Sequence, residues 1–159
     1  MKTAIVFYSL DENCHFIAKQ LKKALNADLI RLETVDSKKR GKIGKIIWGV
    51  AMVMFKKMPP LKPYNFDPSA YDLIIMGVPV WGGTPAPPIR TFLSQTKISG
   101  KKIALFISHG GEPGKAIDEF KALLEGNTFV GELELKDPIK SEITETVHRL
   151  ENWAKELEK

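Results

Sequence analysis

Apolar runs and helical spacing alternate along this chain from end to end. Thr3 to Tyr8 (Thr-Ala-Ile-Val-Phe-Tyr) contains no charge and reads as a buried strand, after which Phe16, Ile17, Leu21, Ala24 and Leu25 recur on one helix face. Asp28 to Leu32 predicts a second strand, shorter and more polar, and so nearer a sheet edge. Tyr71 to Val78 is the third, and Ile89, Phe92 and Leu93 mark the helix that follows it. Lys102 to Ser108 is the fourth, succeeded by a glycine-rich turn and a helix around Ala116 to Leu124. Val130 to Leu135 alternates as a half-exposed fifth strand does, and Ile143, Val147, Leu150, Trp153 and Leu157 form the apolar stripe of a terminal helix, with Ser141 as its expected cap. Strands that alternate with helices imply a parallel sheet covered on both faces, an α/β class. With no repeat or composition break, residues 1–159 read as a single domain.

Composition narrows the function classes. A hydrophobic content of 43% and a charged content of 27% suit a folded, water-facing protein with a full core. Cys14 is the sole cysteine, which excludes an internal disulfide and a thiolate metal cluster and fits a cytoplasmic location. His15, His109 and His148 lack metal-ligand spacing; His15 and His148 read as surface residues. The charged Lys2 and the short apolar run after it argue against a signal peptide, and no apolar stretch is long enough for a transmembrane segment. The net charge of +5 is local: Ser37 to Asn65 holds Lys38, Lys39, Arg40, Lys42, Lys45, Lys56, Lys57 and Lys62 without one acid, while the rest is mildly acidic. No nucleic-acid-binding motif is present, so nucleic acid is not the expected partner.

Three loops follow the strands expected at the centre of the sheet, at the carboxyl edge where open α/β sheets bind ligands. The first is Ser9-Leu10-Asp11-Glu12-Asn13-Cys14, ahead of a helix amino terminus whose free N–H groups attract phosphate. The second is Pro79-Val80-Trp81-Gly82-Gly83-Thr84, a large ring on a flexible loop with two glycines that admit a planar ligand. Pro87 and Pro88 suit the first turn of the next helix. The third is His109-Gly110-Gly111-Glu112-Pro113-Gly114. Cys14 stands where a helix dipole lowers a thiol's pKa, but with no partner motif it reads as a packed residue.

On these residues the chain resembles the flavodoxin-like family over nearly its whole length. The family opens with Ser/Thr-x-Thr-Gly-Asn-Thr; Ser9 and Asn13 match, while Asp11, Glu12 and Cys14 replace Thr, Gly and Thr. Residues 79–88 resemble a Pro-Val-Trp-x-Gly-x-Pro-Ala-Pro-Pro loop, and Ser108 to Lys115 a Ser-x-Gly-Gly-x-Pro-Gly-Lys turn of one branch. The resemblance implies a three-layer sandwich with a five-stranded parallel sheet in the order 2-1-3-4-5. It implies FMN as cofactor, with phosphate at residues 9–14, the flavin ring against Trp81, and Gly110 and Gly111 at the ring's pyrimidine edge beside His109. Asp11 and Glu12 set like charges against a phosphate, so weaker FMN binding than is usual in the family is expected.

The implied activity is electron transfer between redox partner proteins. The alternatives are an FMN-dependent NAD(P)H:quinone or related acceptor reductase, and a flavin-free interaction module. Gly-x-Gly-x-x-Gly is absent after the first strand, which favours the carrier. Ile46 to Phe55 is uncharged and flanked by lysines. It predicts a helix over residues 42–57 that covers the flavin edge, with Trp48, Met52 and Met54 over the ring, or that pairs two subunits as a homodimer. Its outward lysines would then form a positive rim facing a partner with an acidic surface.

Overall fold

The computed structural model describes residues 1–35, 41–54 and 56–159. The elements are β1 (Thr3–Tyr8), α1 (Asn13–Leu25), β2 (Asp28–Leu32), α2 (Lys42–Met54), β3 (Leu73–Trp81), β4 (Thr84–Pro85), α3 (Pro88–Gln95), β5 (Lys102–His109), α4 (Ala116–Ala122), β6 (Thr128–Lys136) and α5 (Ile143–Leu157). Five strands pair in parallel in the order β2-β1-β3-β5-β6, which is the expected five-strand order; the two-residue β4 is an addition, antiparallel to the end of β3. Alternation along β1 divides the core. Ala4, Val6 and Tyr8 pack with Ile89, Phe92 and Phe120 on one face, and Ile5 and Phe7 with Ile17, Leu21, Trp153 and Leu157 on the other. Every residue of β1 is buried, as a strand covered on both faces requires.

The structure corrects the sequence expectations in several places. β3 does not end at Val78 but continues to Trp81, so Pro79, Val80 and Trp81 are strand residues and Trp81 is not on a flexible loop. Gly82 (φ 59°) and Gly83 (φ 75°) form a two-residue hairpin turn into β4. Both central residues of such a turn need positive φ, which glycine adopts without a steric cost. Ser141 does not cap α5: Glu142 occupies that position, and the Ser141 hydroxyl donates to the Lys136 carbonyl at 2.9 Å. Among the described residues no helix is long and apolar enough to cross a membrane. Lys38, Lys39, Arg40 and Phe55 lie outside the described residues.

Candidate functional site

Because β1, β3 and β5 run in parallel, the segments after Tyr8, Trp81 and His109 meet at one edge of the sheet. In the first segment, Ser9 is buried and its Oγ accepts from the His15 N–H at 3.2 Å, while Leu10 packs against the core. Asp11 folds over the start of α1 and accepts from the Asn13 amide Nδ2 at 3.0 Å and from the Asn13 backbone N–H at 3.4 Å. With Nδ2 committed to Asp11, Asn13 Oδ1 is buried and has no hydrogen-bond partner among the described residues. A buried acceptor without a donor costs roughly 1–3 kcal/mol, which a ligand hydroxyl would recover.

Glu12 departs furthest from the expected pattern, and its backbone shows why. It adopts φ 68°, the left-handed region that glycine occupies freely. Its carboxylate turns toward β2 and the first turn of α1: Oε1 accepts from Arg31 Nη2 at 2.6 Å, and Oε2 pairs with His15 Nδ1. Arg31 Nη2 also reaches the Ser9 carbonyl at 3.4 Å. Burial raises the Glu12 pKa, but the hydrogen bonds from Arg31 and His15 outweigh it and hold the carboxyl below its usual range. His15 is therefore no idle surface residue; its ring stacks on Phe7 with centroids 5.7 Å apart. Neither Arg31 nor His15 was legible as part of the site, since Arg31 comes from the edge strand β2, 19 residues away from Glu12. The half-buried positions Leu29 and Arg31, alternating with the buried Ile30 and Leu32, were the local hint.

Cys14 is fully buried, and its Sγ lies 3.1 Å from Ser108 Oγ, which ties the first segment to the end of β5. Burial pushes its thiol up to about 12, the reverse of the shift expected at a helix amino terminus. It is a packed residue, and only its backbone can face a ligand.

Trp81 is half-buried between two ring edges, Tyr8 at 5.8 Å and Trp48 of α2 at 5.9 Å. A Cβ on Gly49 would sit 3.6 Å from Trp81 Cε3, so α2 lies directly against the indole. Trp48 thus adjoins the site as expected, but Met54 does not: it is 72% exposed. The hairpin turn touches the glycine turn through backbone alone. A Cβ on Gly114 would come 2.7 Å from Gly83 Cα, and the Lys115 N–H donates to the Gly83 carbonyl at 3.2 Å. Thr84 Oγ1 donates to the Pro85 carbonyl at 3.3 Å, which fixes the second strand of the hairpin.

In the third segment, Gly110 and Gly111 are exposed while the His109 side chain is 5% exposed. Its Nδ1 lies 2.7 Å from the Gly111 carbonyl and its Nε2 3.0 Å from Glu134 Oε1 of β6. The turn is thereby folded back on its own strand. The structure brings the three predicted segments to one edge, with the side chains of Glu12 and Cys14 turned away from it.

The flavodoxin family pattern matches residues 2–155, and the chain belongs to the flavodoxin family. Among solved structures, it is similar to a flavoprotein in complex with FMN from Lactobacillus acidophilus NCFM, at 24% identity over 96% of this chain and 98% of the other, with a TM-score of 0.74. The apo-form of the flavoprotein from the same organism is 26% identical over 88% and 95% of the two chains, TM-score 0.67. Two-electron reduced Megasphaera elsdenii flavodoxin is 20% identical over 96% and 98%, TM-score 0.63. A comparison with curated proteins found no match.

Proposed function

We propose that this chain binds FMN at residues 9–14, 79–84 and 109–111 and carries electrons between redox partners. The observation that carries the reading is that three specialised segments meet at one sheet edge, the first holding Asn13, whose buried Oδ1 lacks a donor among the described residues. The ribityl hydroxyls of FMN are donors of the required kind. Family membership and the likeness to a Lactobacillus flavoprotein that holds FMN support the same cofactor here. When bound, FMN supplies one- and two-electron redox chemistry; the protein supplies placement and electrostatics. Ser9 and the backbone N–H groups at the start of α1 would hold the phosphate end, with Asn13 Oδ1 accepting from the ribityl chain. Trp81 would present its ring to the flavin, Gly82 and Gly83 would allow close approach, and Gly110 and Gly111 would offer backbone groups to the pyrimidine edge. Titration with FMN, followed by flavin fluorescence, tests this. Trp81→Ala should weaken binding by about 1–3 kcal/mol, and unchanged affinity in the folded variant would remove Trp81 from the site.

The partner reading follows from α2. Ile47, Val50 and Met54 are exposed at helical spacing, with Met58 beyond them, and Lys45, Lys56 and Lys57 flank the stripe. An apolar centre with a basic rim suits a partner surface with an acidic rim. A two-fold homodimer through the same face would set lysine against lysine, so charge favours the unlike partner. Replacing Lys45, Lys56 and Lys57 with Gln should slow electron exchange with an acidic carrier at low salt and leave FMN affinity in place. Equal rates in both proteins across a salt series would refute the steering role.

A further inference from the structure

An open groove of about 670 Å³ lies between the end of α2, the hairpin, the first turn of α3 and the outer side of α4. We infer that it binds a small organic anion with an aliphatic body and a single carboxylate head, a medium-chain carboxylate. The volume falls within the roughly 300–1,000 Å³ of small-molecule sites. Of the lining residues only Thr84 belongs to the three segments at the sheet edge, so the inference stands apart from the FMN reading. Met52, Val53, Met58, Pro87 and Leu123 make the apolar part of the lining, which contains no aromatic ring. Such side chains, the methionines above all, mould to a flexible chain and give a planar ligand nothing to stack on.

Charge selects the head group. Lys56, Lys57 and Arg90 line the groove with one carboxylate, that of Glu119. Arg90 Nη2 donates to Glu119 Oε2 at 3.2 Å, the one side-chain hydrogen bond that Arg90 makes among the described residues. The rest of its donor fork is open. The two side chains are 36% and 44% exposed, so water screens the pair and holds it weakly. Glu119 thus shows the chemistry that Arg90 accepts, through one contact where a planar fork can make two. A ligand carboxylate can take the two-pronged place and release Glu119 to solvent.

The wall that carries the lysines is anchored to the body. Lys56 adopts φ 47°, a left-handed conformation that disfavours residues with a Cβ. Its N–H donates to the Val53 carbonyl at 3.2 Å and the Lys57 N–H to the Met52 carbonyl at 3.0 Å, which closes α2. Just beyond, the Pro59 carbonyl accepts from the buried Thr91 Oγ1 of α3 at 2.9 Å. The stretch from Lys56 to Met58 is therefore pinned at both ends, yet Met58 stays 50% exposed, surface that an aliphatic chain would cover. The groove is also distinct from the exposed stripe of Ile47, Val50 and Met54. Val53 is half-buried and faces the hairpin, since a Cβ on Gly82 would sit 3.5 Å from its Cγ1.

The test is a titration of the whole chain, without FMN, with hexanoate, octanoate and 1-octanol, followed by ¹H–¹⁵N NMR. Octanoate should shift the amides of Val53, Lys57, Thr84 and Leu123 saturably, and 1-octanol, which lacks the charge, should bind about tenfold more weakly. Affinity should rise about twofold to fourfold per CH₂ from hexanoate to octanoate. Arg90→Gln should weaken octanoate about tenfold and leave 1-octanol unchanged. Glu119→Gln should tighten octanoate about twofold to fivefold, because it removes the carboxylate that competes for Arg90. An ion pair with a merely structural role would give losses in both variants. Ala122→Trp, at an exposed position of α4 on the groove, should block both ligands. Absence of a saturable shift, equal affinity for octanoate and 1-octanol, or losses in both Arg90→Gln and Glu119→Gln would overturn the inference. Shifts confined to Ile47, Val50 and Met54 would overturn it too, by placing the anion on the exposed stripe. With no flavin present, none of these outcomes bears on the FMN reading.

Discussion

The acidic segment at residues 9–14 and the glycine turn at 109–111 lie on the same sheet edge, and each ties a side chain to a partner of opposite exposure or charge on the strand beside it. In the first an anion, Glu12, is neutralised by the cation Arg31 with His15 beside it. In the second, His109 is paired with the anion Glu134. The exposures are also reversed, since Glu12 is 56% exposed and the His109 side chain is 5% exposed. Each loop thus recruits a polar partner from the neighbouring strand on its outer side, β2 for one and β6 for the other. The segment at residues 9–14 accommodates a glutamate because the edge strand supplies the charge that cancels it. The expected repulsion between Glu12 and a phosphate therefore depends on Arg31, which the family pattern alone did not bring into view.

That dependence is the easiest part of the comparison to break. Arg31→Leu leaves Glu12 in its left-handed conformation with no guanidinium to hold it, and removes charge-assisted hydrogen bonds at the loop. FMN affinity should fall about tenfold to a hundredfold, the range expected for a lost hydrogen bond to a charged group. Riboflavin, which lacks the phosphate, should lose much less. Adding Glu12→Gly to Arg31→Leu should restore most of the loss, because glycine fits φ 68° and carries no charge. Calorimetric titration of both ligands at low and high salt reads this directly. Equal losses for FMN and riboflavin would mean that Arg31 shapes the loop and leaves the phosphate's charge unopposed.

Much of the frame was legible because apolar strands buried on both faces leave little ambiguity. Thr3 to Tyr8 and Asp28 to Leu32 read with the observed bounds, and Pro88 begins α3 as Pro-Pro suggested. The strand before Trp81 runs three residues past Val78, through Pro79, since a proline near the end of a strand need not donate to the ladder. The Gly-Gly pair between Trp81 and Thr84 is the signal of a hairpin as well as of room for a planar ligand, and only the second is read from the sequence. What the sequence withheld is the set of polar partners across the sheet. Nothing local to Glu12 points to Arg31, nothing local to His109 points to Glu134, and nothing local to Cys14 points to Ser108, 94 residues on. Those pairings come from strand order and register, so they become readable only after the topology is fixed. α2 shows the opposite limit. Its apolar run announced a helix, but which side it buries depends on Trp81, reached through Gly49, and the exposed Ile47, Val50 and Met54 follow from that docking.

The smallest expected effect concerns the uncharged bridge between the two loops. Cys14 and Ser108 join the acidic segment to the strand that ends at His109, and the thiol is neutral there because burial pushes it up to about 12. An unfolded cysteine ionises near pH 8.5. A thiol raised in the folded state contributes stability that is complete below the unfolded value and is lost as pH climbs toward the folded one. Wild-type stability should therefore decline by up to about 1.4 kcal/mol per pH unit between roughly pH 9 and 10.5 from this group. Cys14→Ser has no thiol to ionise and keeps a hydroxyl for Ser108, so its decline should be shallower. Tyr8, which burial also raises to about 12, is present in both proteins and cancels in the difference. Urea unfolding at pH 7.5 and pH 10 gives the two slopes. Parallel slopes would show that the thiolate forms without loss in the folded protein, and that burial does not keep the bridge between the two loops neutral.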